Sequence, residues 1–221
     1  EYIQGATLRE VVGRSRPEDR ELLAHRLMPA VCEAVRELHE GTGEVIIHRD
    51  LTPSNVMVPD ADPATPVLID LGIARVWHEG ADADTTRFGT RPYAPPEQFG
   101  FGQTDVRSDV YALGMLAFFC LTGRDPEVSD REHGFACLEV PEGWRKVLAK
   151  AVSFDPDERY GAASELAEAI AGLKTASPQP GPSRHATSRS TRFLTARNAV
   201  VLLVCGALIV SGLSAALPPP E

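Results

Sequence analysis

His48-Arg49-Asp50-Leu51-Thr52-Pro53-Ser54-Asn55, followed downstream by Asp70-Leu71-Gly72, is the stretch from which the rest of the chain is read. Short β-branched runs flank it. Val45–Ile47 precedes it, Val56–Val58 follows it and Val67–Ile69 leads into Asp70, and each run is predicted to be a strand. Asp50 and Asn55 then share one loop between strands. Asp70 ends the next strand, where Gly72 lets the chain turn sharply. Two carboxylates and one amide oxygen converge at strand ends. Hard oxygen donors of this kind suit Mg²⁺, which takes one or two carboxylates and completes its shell with phosphate and water. A further group must accept the proton of an attacking hydroxyl. This is the layout of a phosphoryl-transfer site.

Working outward, the same order of parts continues. Gly89-Thr90-Arg91-Pro92-Tyr93-Ala94-Pro95-Pro96-Glu97 comes next, then Asp109-Val110-Tyr111-Ala112-Leu113-Gly114, then Asp155-Pro156-Asp157-Glu158-Arg159-Tyr160. With H-R-D-L-x-x-x-N and D-L-G these stretches resemble the signature set of protein kinases. Pro95 stands where the family's A-P-E has Ala, and Leu71 where D-F-G has Phe. Glu1-Tyr2-Ile3-Gln4-Gly5 resembles the hinge between the family's two lobes. The resemblance covers residues 1–172 and is closest to bacterial eukaryotic-like Ser/Thr protein kinases of the transmembrane receptor type. It implies the C-terminal lobe of that fold, residues 1–173, mainly α with a few short β-strands.

Roles carry over residue by residue as what the resemblance implies. Asp50 orients and deprotonates the substrate hydroxyl, with Arg49 beside it. Asn55 and Asp70 hold Mg²⁺ (or Mn²⁺). The backbone of Glu1, Tyr2 and Ile3 meets the adenine of ATP, and Met57 lies beneath the ring. Thr85 and Thr86 are activation-loop phosphosites whose phosphate would pair with Arg49. Thr90 belongs to the substrate-facing loop and favours Ser/Thr acceptors. Glu97 pairs with Arg159, and Asp109 holds the backbone of the His48–Arg49 turn. Thr52 stands where Ser/Thr kinases commonly carry a Lys that reaches the γ-phosphate, which removes a positive charge from the transition state.

Helices are expected at Pro17–Glu40, with Leu22, Leu23, Leu27, Val31, Val35 and Leu38 at helical spacing, and at Asp105–Thr122 with Thr104 as cap and Gly123 as stop. Two more are expected at Glu142–Val152 and Ala163–Leu173. The second of these four is almost wholly apolar and must be buried nearly all round.

Composition bounds the rest. The 221 residues carry a net charge of −9, 43% hydrophobic and 24% charged residues, which fits a globular domain and excludes wholesale disorder. Of 31 acidic residues only Glu221 lies beyond residue 168, against five of 22 Lys and Arg, so the first 168 residues carry a net −13. An acidic body argues against nucleic acid as a partner. Four scattered cysteines show no metal-ligand spacing. Residues 174–198 are Ser-, Pro- and Arg-rich and are expected to be a disordered basic linker. Residues 199–217 contain no charge and would form about 28 Å of helix, close to the hydrocarbon thickness, so a single membrane span is expected there. Arg192 and Arg197 precede it, which puts the kinase-like body in the cytoplasm, the basic arm against membrane lipid and residues 218–221 outside.

The expected protein is therefore a single-pass cell-membrane Ser/Thr kinase acting on protein substrates, with a homodimer serving trans-autophosphorylation. A pseudokinase scaffold is the alternative. A small-molecule phosphotransferase shares the Asp/Asn/Asp core but lacks the Pro96-Glu97 and Asp109 patterns. The chain starts with Glu at the hinge, so it reads as a piece of a longer protein. These 221 residues alone are expected to be inactive, having no Gly-rich loop, strand Lys or helix Glu to roof ATP.

Overall fold

A computed structural model describes residues 3–41, 43–76, 90–100, 102–137 and 139–174. The chain divides into two units, Glu1–Ser177 and Pro178–Glu221, and every described residue lies in the first. The expected linker beyond Lys174 and the membrane span, and Glu1, Tyr2, Thr85 and Thr86, lie outside the described residues. Among the described residues no helix is long and apolar enough to cross a membrane.

The described part is mostly helical with a few short strands. Strand β1 (Gly5–Thr7) runs directly into α1 (Leu8–Arg14). Thr7 closes a capping box there: its Oγ1 accepts from the Glu10 backbone N–H at 3.2 Å, and Glu10 Oε2 accepts from the Thr7 N–H at 2.8 Å. A single 3-10 turn, Pro17–Asp19, precedes α2 (Arg20–Glu40), so the helix expected from Pro17 starts three residues late. Its buried stripe is Ala24, Leu27, Met28, Val31, Cys32, Val35 and His39. Leu22, expected on that stripe, is 65% exposed, and Leu23 is half-buried. The two neighbours lie about 100° apart on a helix, so the core face takes in only one of them.

The five short strands of the described residues form two sheets. β3 (Val56–Pro59) is central to one, pairing antiparallel with β1 and with β4 (Val67–Leu68). β2 (Ile46–Ile47) pairs with β5 (Arg75–Val76) in the other. β1 and β5 were not expected because Gly5-Ala6-Thr7 and Arg75-Val76 carry no β-branched run of the kind that marked β2, β3 and β4.

Helix α3 (Val106–Thr122) is the centre of the described core, and every residue from Ser108 to Thr122 is buried. Asp105, not Thr104, caps it: its carboxylate accepts from the Arg107 N–H at 2.7 Å, and Ser108 Oγ accepts from the Asp105 N–H at 3.2 Å. Thr104 is itself buried. Gly123 ends the helix with φ 73°, the left-handed conformation that glycine adopts without cost. α4 (Val128–Glu132), α5 (Glu142–Ala151) and α6 (Ala163–Ala171) complete the described elements. α2 packs on α3 and α6, and α3 on α5 and α6. The core includes Phe118, Phe119, Leu113, Leu116, Leu148, Leu166 and Ile170, each stabilising the fold by about 1.5–3 kcal/mol through burial. Burial also pushes the Cys32 and Cys120 thiols up to about 12, which leaves them as inert packing groups.

α3 and α5 touch at Gly114. A Cβ there would lie 2.8 Å from both Ala151 Cβ and Val152 Cγ1. Gly114→Ala is expected to lower stability although alanine is the better helix former. Overpacking costs about 1–3 kcal/mol against a propensity gain of about 0.5–1 kcal/mol. Urea denaturation of the variant checks this, and Ala151→Gly in the same chain should return part of the loss.

Candidate active site

The loop 48–55 is held from below by a carboxylate. Asp109, in the first turn of α3, is wholly buried. Its Oδ2 accepts from the His48 backbone N–H at 2.8 Å, and its Oδ1 from that of Arg49 at 3.0 Å. His39 Nε2 donates a third hydrogen bond to Oδ2 at 2.9 Å. A buried ionised carboxylate needs this degree of satisfaction, and the N-terminal turn of α3 adds its own positive end. Arg49 has φ 71°, a left-handed conformation uncommon outside glycine. The Asp109 grip on its amide, and the Gln98 side chain donating to its carbonyl at 2.7 Å, hold it there. Arg49 is itself buried.

Above that anchor, Asp50 and Asn55 meet. Asn55 Nδ2 donates to the Asp50 carbonyl at 2.8 Å and to Asp50 Oδ2 at 3.2 Å. Both donors of the amide are spent on Asp50, which leaves its Oδ1 for another partner. From the other side Thr90 donates twice to Asp50 Oδ1, through its N–H at 3.1 Å and its hydroxyl at 3.0 Å. The candidate base is thus set in place by groups from two distant segments.

Asp70 reaches the same end of the sheet through the β3–β4 ladder. Val56 faces Leu68 and Met57 faces Val67, and one step further the Ile69 N–H donates to the Asn55 carbonyl at 2.9 Å. Asp70 is the next residue and turns the chain with φ 60°, its Oδ1 accepting from the Gly72 N–H at 3.3 Å. It is exposed, as is Leu71. Asn55 and Met57 share one face of β3, opposite the buried Val56 and Val58. Met57 is half-buried and lies across from Thr7 on β1, so the Gln4–Thr7 segment runs alongside β3.

Among the described residues no three His, Cys, Asp or Glu side chains form a closed cage for a metal. The donors present, the Asn55 amide oxygen and the Asp70 carboxylate, fit a hard cation that brings phosphate and water as its other ligands.

A second clamp closes the segment that carries Thr90. Glu97 and Arg159 form a buried two-point pair, Nη1 to Oε1 at 2.7 Å and Nη2 to Oε2 at 2.9 Å. The remaining Arg159 donors go to the Ser153, Arg107 and Phe154 carbonyls, so all five N–H groups are used. Ser108 Oγ donates to Glu97 Oε1 at 2.8 Å.

Sequence reasoning missed a third cluster. Arg9 of α1 donates to Ser54 Oγ at 3.2 Å, inside the 48–55 loop, and pairs with Asp125 at 2.8 Å. Asp125 Oδ1 also accepts the Tyr93 hydroxyl at 2.5 Å. The Arg9 guanidinium holds the Asp125 carboxyl below the usual carboxylate range, burial opposes this, and the Tyr93 hydroxyl adds to the lowering. Burial and the hydrogen bond to Asp125 push the Tyr93 phenol up. These partners are far apart in sequence and no local pattern marks them. His39 did leave a signal: it continues the buried spacing Val31, Val35 and so stands at a core position.

Two measurements follow from these contacts. Asp109→Asn keeps the shape but puts an NH₂ against donors. It is expected to cost about 2–4 kcal/mol in urea denaturation, more than Asn in place of an exposed Asp. Asp125 has a lowered folded value, so its pairing contributes stability above the ordinary carboxylate range, near pH ~4, and loses it as pH falls through the lower folded value. Stability measured from about pH 6 down to about pH 2 should therefore fall less steeply in Asp125→Asn than in the native chain. Parallel curves would contradict the assignment.

A family model described as the protein kinase domain matches residues 1–179. Serine/threonine-protein kinase PknB of Mycobacterium leprae is 32% identical over 198 residues, which cover 82% of this chain and 31% of that protein. A probable serine/threonine-protein kinase PknB of Bifidobacterium longum is 32% identical over 186 residues, 75% of this chain and 26% of that protein. Serine/threonine-protein kinase D of Synechocystis sp. is 28% identical over 193 residues, 81% and 36% respectively. The chain spans about a third of the length of the curated relatives it matches. With its own length matched from residue 1 to residue 179, the chain belongs to the protein kinase family.

Proposed function

We propose that the whole protein is a serine/threonine protein kinase that moves the γ-phosphate of ATP to Ser or Thr hydroxyls of protein substrates. The observation that carries this reading is the Asp50 carboxylate, aligned by the Asn55 amide on one side and by Thr90 on the other. Asp50 accepts the proton of the incoming hydroxyl as the new O–P bond forms and the bond to the β-phosphate oxygen breaks, with ADP leaving. Asn55 Oδ1 and Asp70 would hold Mg²⁺, which when bound offsets the negative charge on the phosphate oxygens. The Ile3–Thr7 segment and Met57 offer an apolar and backbone surface on which the adenine of ATP would rest. The family's Gly-rich loop and strand Lys are not among residues 1–221, so transfer is proposed of the whole protein.

The Ser/Thr class draws support from the names of the relatives and from Thr90 at the base. Further proposals rest on sequence: phosphorylation at Thr85 or Thr86 within a homodimer, and a single membrane span at 199–217 behind a lipid-facing basic arm. One observation favours a non-catalytic scaffold instead. Thr52 is buried, brings no charge and stands where a γ-phosphate lysine is usual, so transfer by this protein is proposed to be slow.

Incubating the whole protein with radiolabelled ATP, Mg²⁺ and a protein acceptor tests the reading. Label is expected on serine or threonine, and Asp50→Asn should lower the rate by about 10²–10⁴-fold, the contribution of a positioned general base. Equal label from both proteins, or label on tyrosine, would overturn it.

A further inference from the structure

The two hydrogen bonds from Thr90 to Asp50 make residues 90–93 a wall beside the candidate base. A hollow of about 260 Å³ opens in that wall, lined by Arg91, Pro92, Pro126, Glu127, Val128 and Arg131. Its two arginines are in different states. Arg131 is half-buried and donates to the Tyr111 hydroxyl. Arg91 is exposed and makes no hydrogen bond or ion pair among the described residues.

The neighbouring charges sharpen the contrast. On the same segment Tyr93 leads to Asp125, whose charge is already answered by Arg9 at 2.8 Å. Glu127, across the hollow, is exposed and accepts from Ser129 Oγ at 3.4 Å. The body around the site is strongly acidic, which by itself would repel an acidic peptide and attract a basic one. Arg91 is an uncommitted cation, one residue from the threonine on the base, whose planar fork matches a carboxylate. It therefore opposes the long-range preference at one place along a bound strand.

We propose that Arg91 selects protein substrates with an acidic residue close to the phospho-acceptor. The inference rests on the phosphoryl-transfer reading and adds the substrate class to it. An extended strand advances about 3.3 Å per residue, so the preferred carboxylate falls within about three residues of the acceptor. A rim ion pair of this sort supports a selectivity of up to about fivefold, not an absolute requirement.

The test uses the whole protein and a single-Ser peptide in an alanine background, with Glu or Lys placed in turn at each of the three positions on either side. At one position Glu should exceed Lys in kcat/KM by about fivefold. That ratio should fall to near one in Arg91→Gln and invert in Arg91→Glu. If no position separates Glu from Lys while the peptides are phosphorylated, the inference fails and the kinase reading stands. A preference that survives in Arg91→Gln also overturns it. If no peptide is phosphorylated the kinase reading fails. Fluorescence anisotropy of the same labelled peptides then decides the inference, since tighter binding of the Glu peptide must disappear in Arg91→Gln or Arg91 is not its cause.

Discussion

A single buried carboxylate, Asp109, carries the strain of the candidate site. It sits at the start of the most buried helix in the described chain and accepts three N–H groups, two of them from the backbone of His48 and Arg49. The second belongs to a residue in left-handed conformation, which a non-glycine residue adopts only where its surroundings hold it. Without that grip nothing in local preference would keep the 48–55 loop in a shape that presents Asp50. The helix in turn tolerates a charge in its first turn because the unpaired amides there favour one.

The other clamps extend that support to the far wall. Glu97 is pinned by Arg159 and Ser108, and its neighbour Gln98 reaches the Arg49 carbonyl, so the loop of the base and the segment of Thr90 share a foundation. The Arg9–Asp125–Tyr93 cluster joins the same two parts on the outer side through Ser54. Isolated pairs of this exposure would be worth little. Their effect here is geometric: Asp50 lies between two segments whose spacing is set on both flanks.

What was legible in the sequence follows from these physics. Helices α2, α3, α5 and α6 were readable because apolar residues recur at helical spacing over nine or more positions. Asp50, Asn55 and Asp70 stood out as candidates because their residue types and spacing are local to two turns. β1 and β5 were not: they are as short as β2 and β4 but lack the β-branched runs that marked those two. The five residues of α4 are too few for a helical period to show. Leu22 misled because an apolar residue beside a core stripe has the same letter as one within it. Asp125 was silent because its partners Arg9 and Tyr93 lie 116 and 32 residues away and only the folded chain brings them together. Asp105 displaced Thr104 as cap because its carboxylate, not the hydroxyl before it, meets the free Arg107 amide in the first turn of α3.

Asp109 grips amide protons, which His48 and Arg49 share with every amino acid other than proline. The hydrogen bonds beneath the loop therefore read the backbone and not the side chains, while the positive φ of Arg49 and the burial of both residues still restrict what can stand there. A replacement at either position keeps the two Asp109 contacts as long as it is not proline and fits the space and the backbone angle already present.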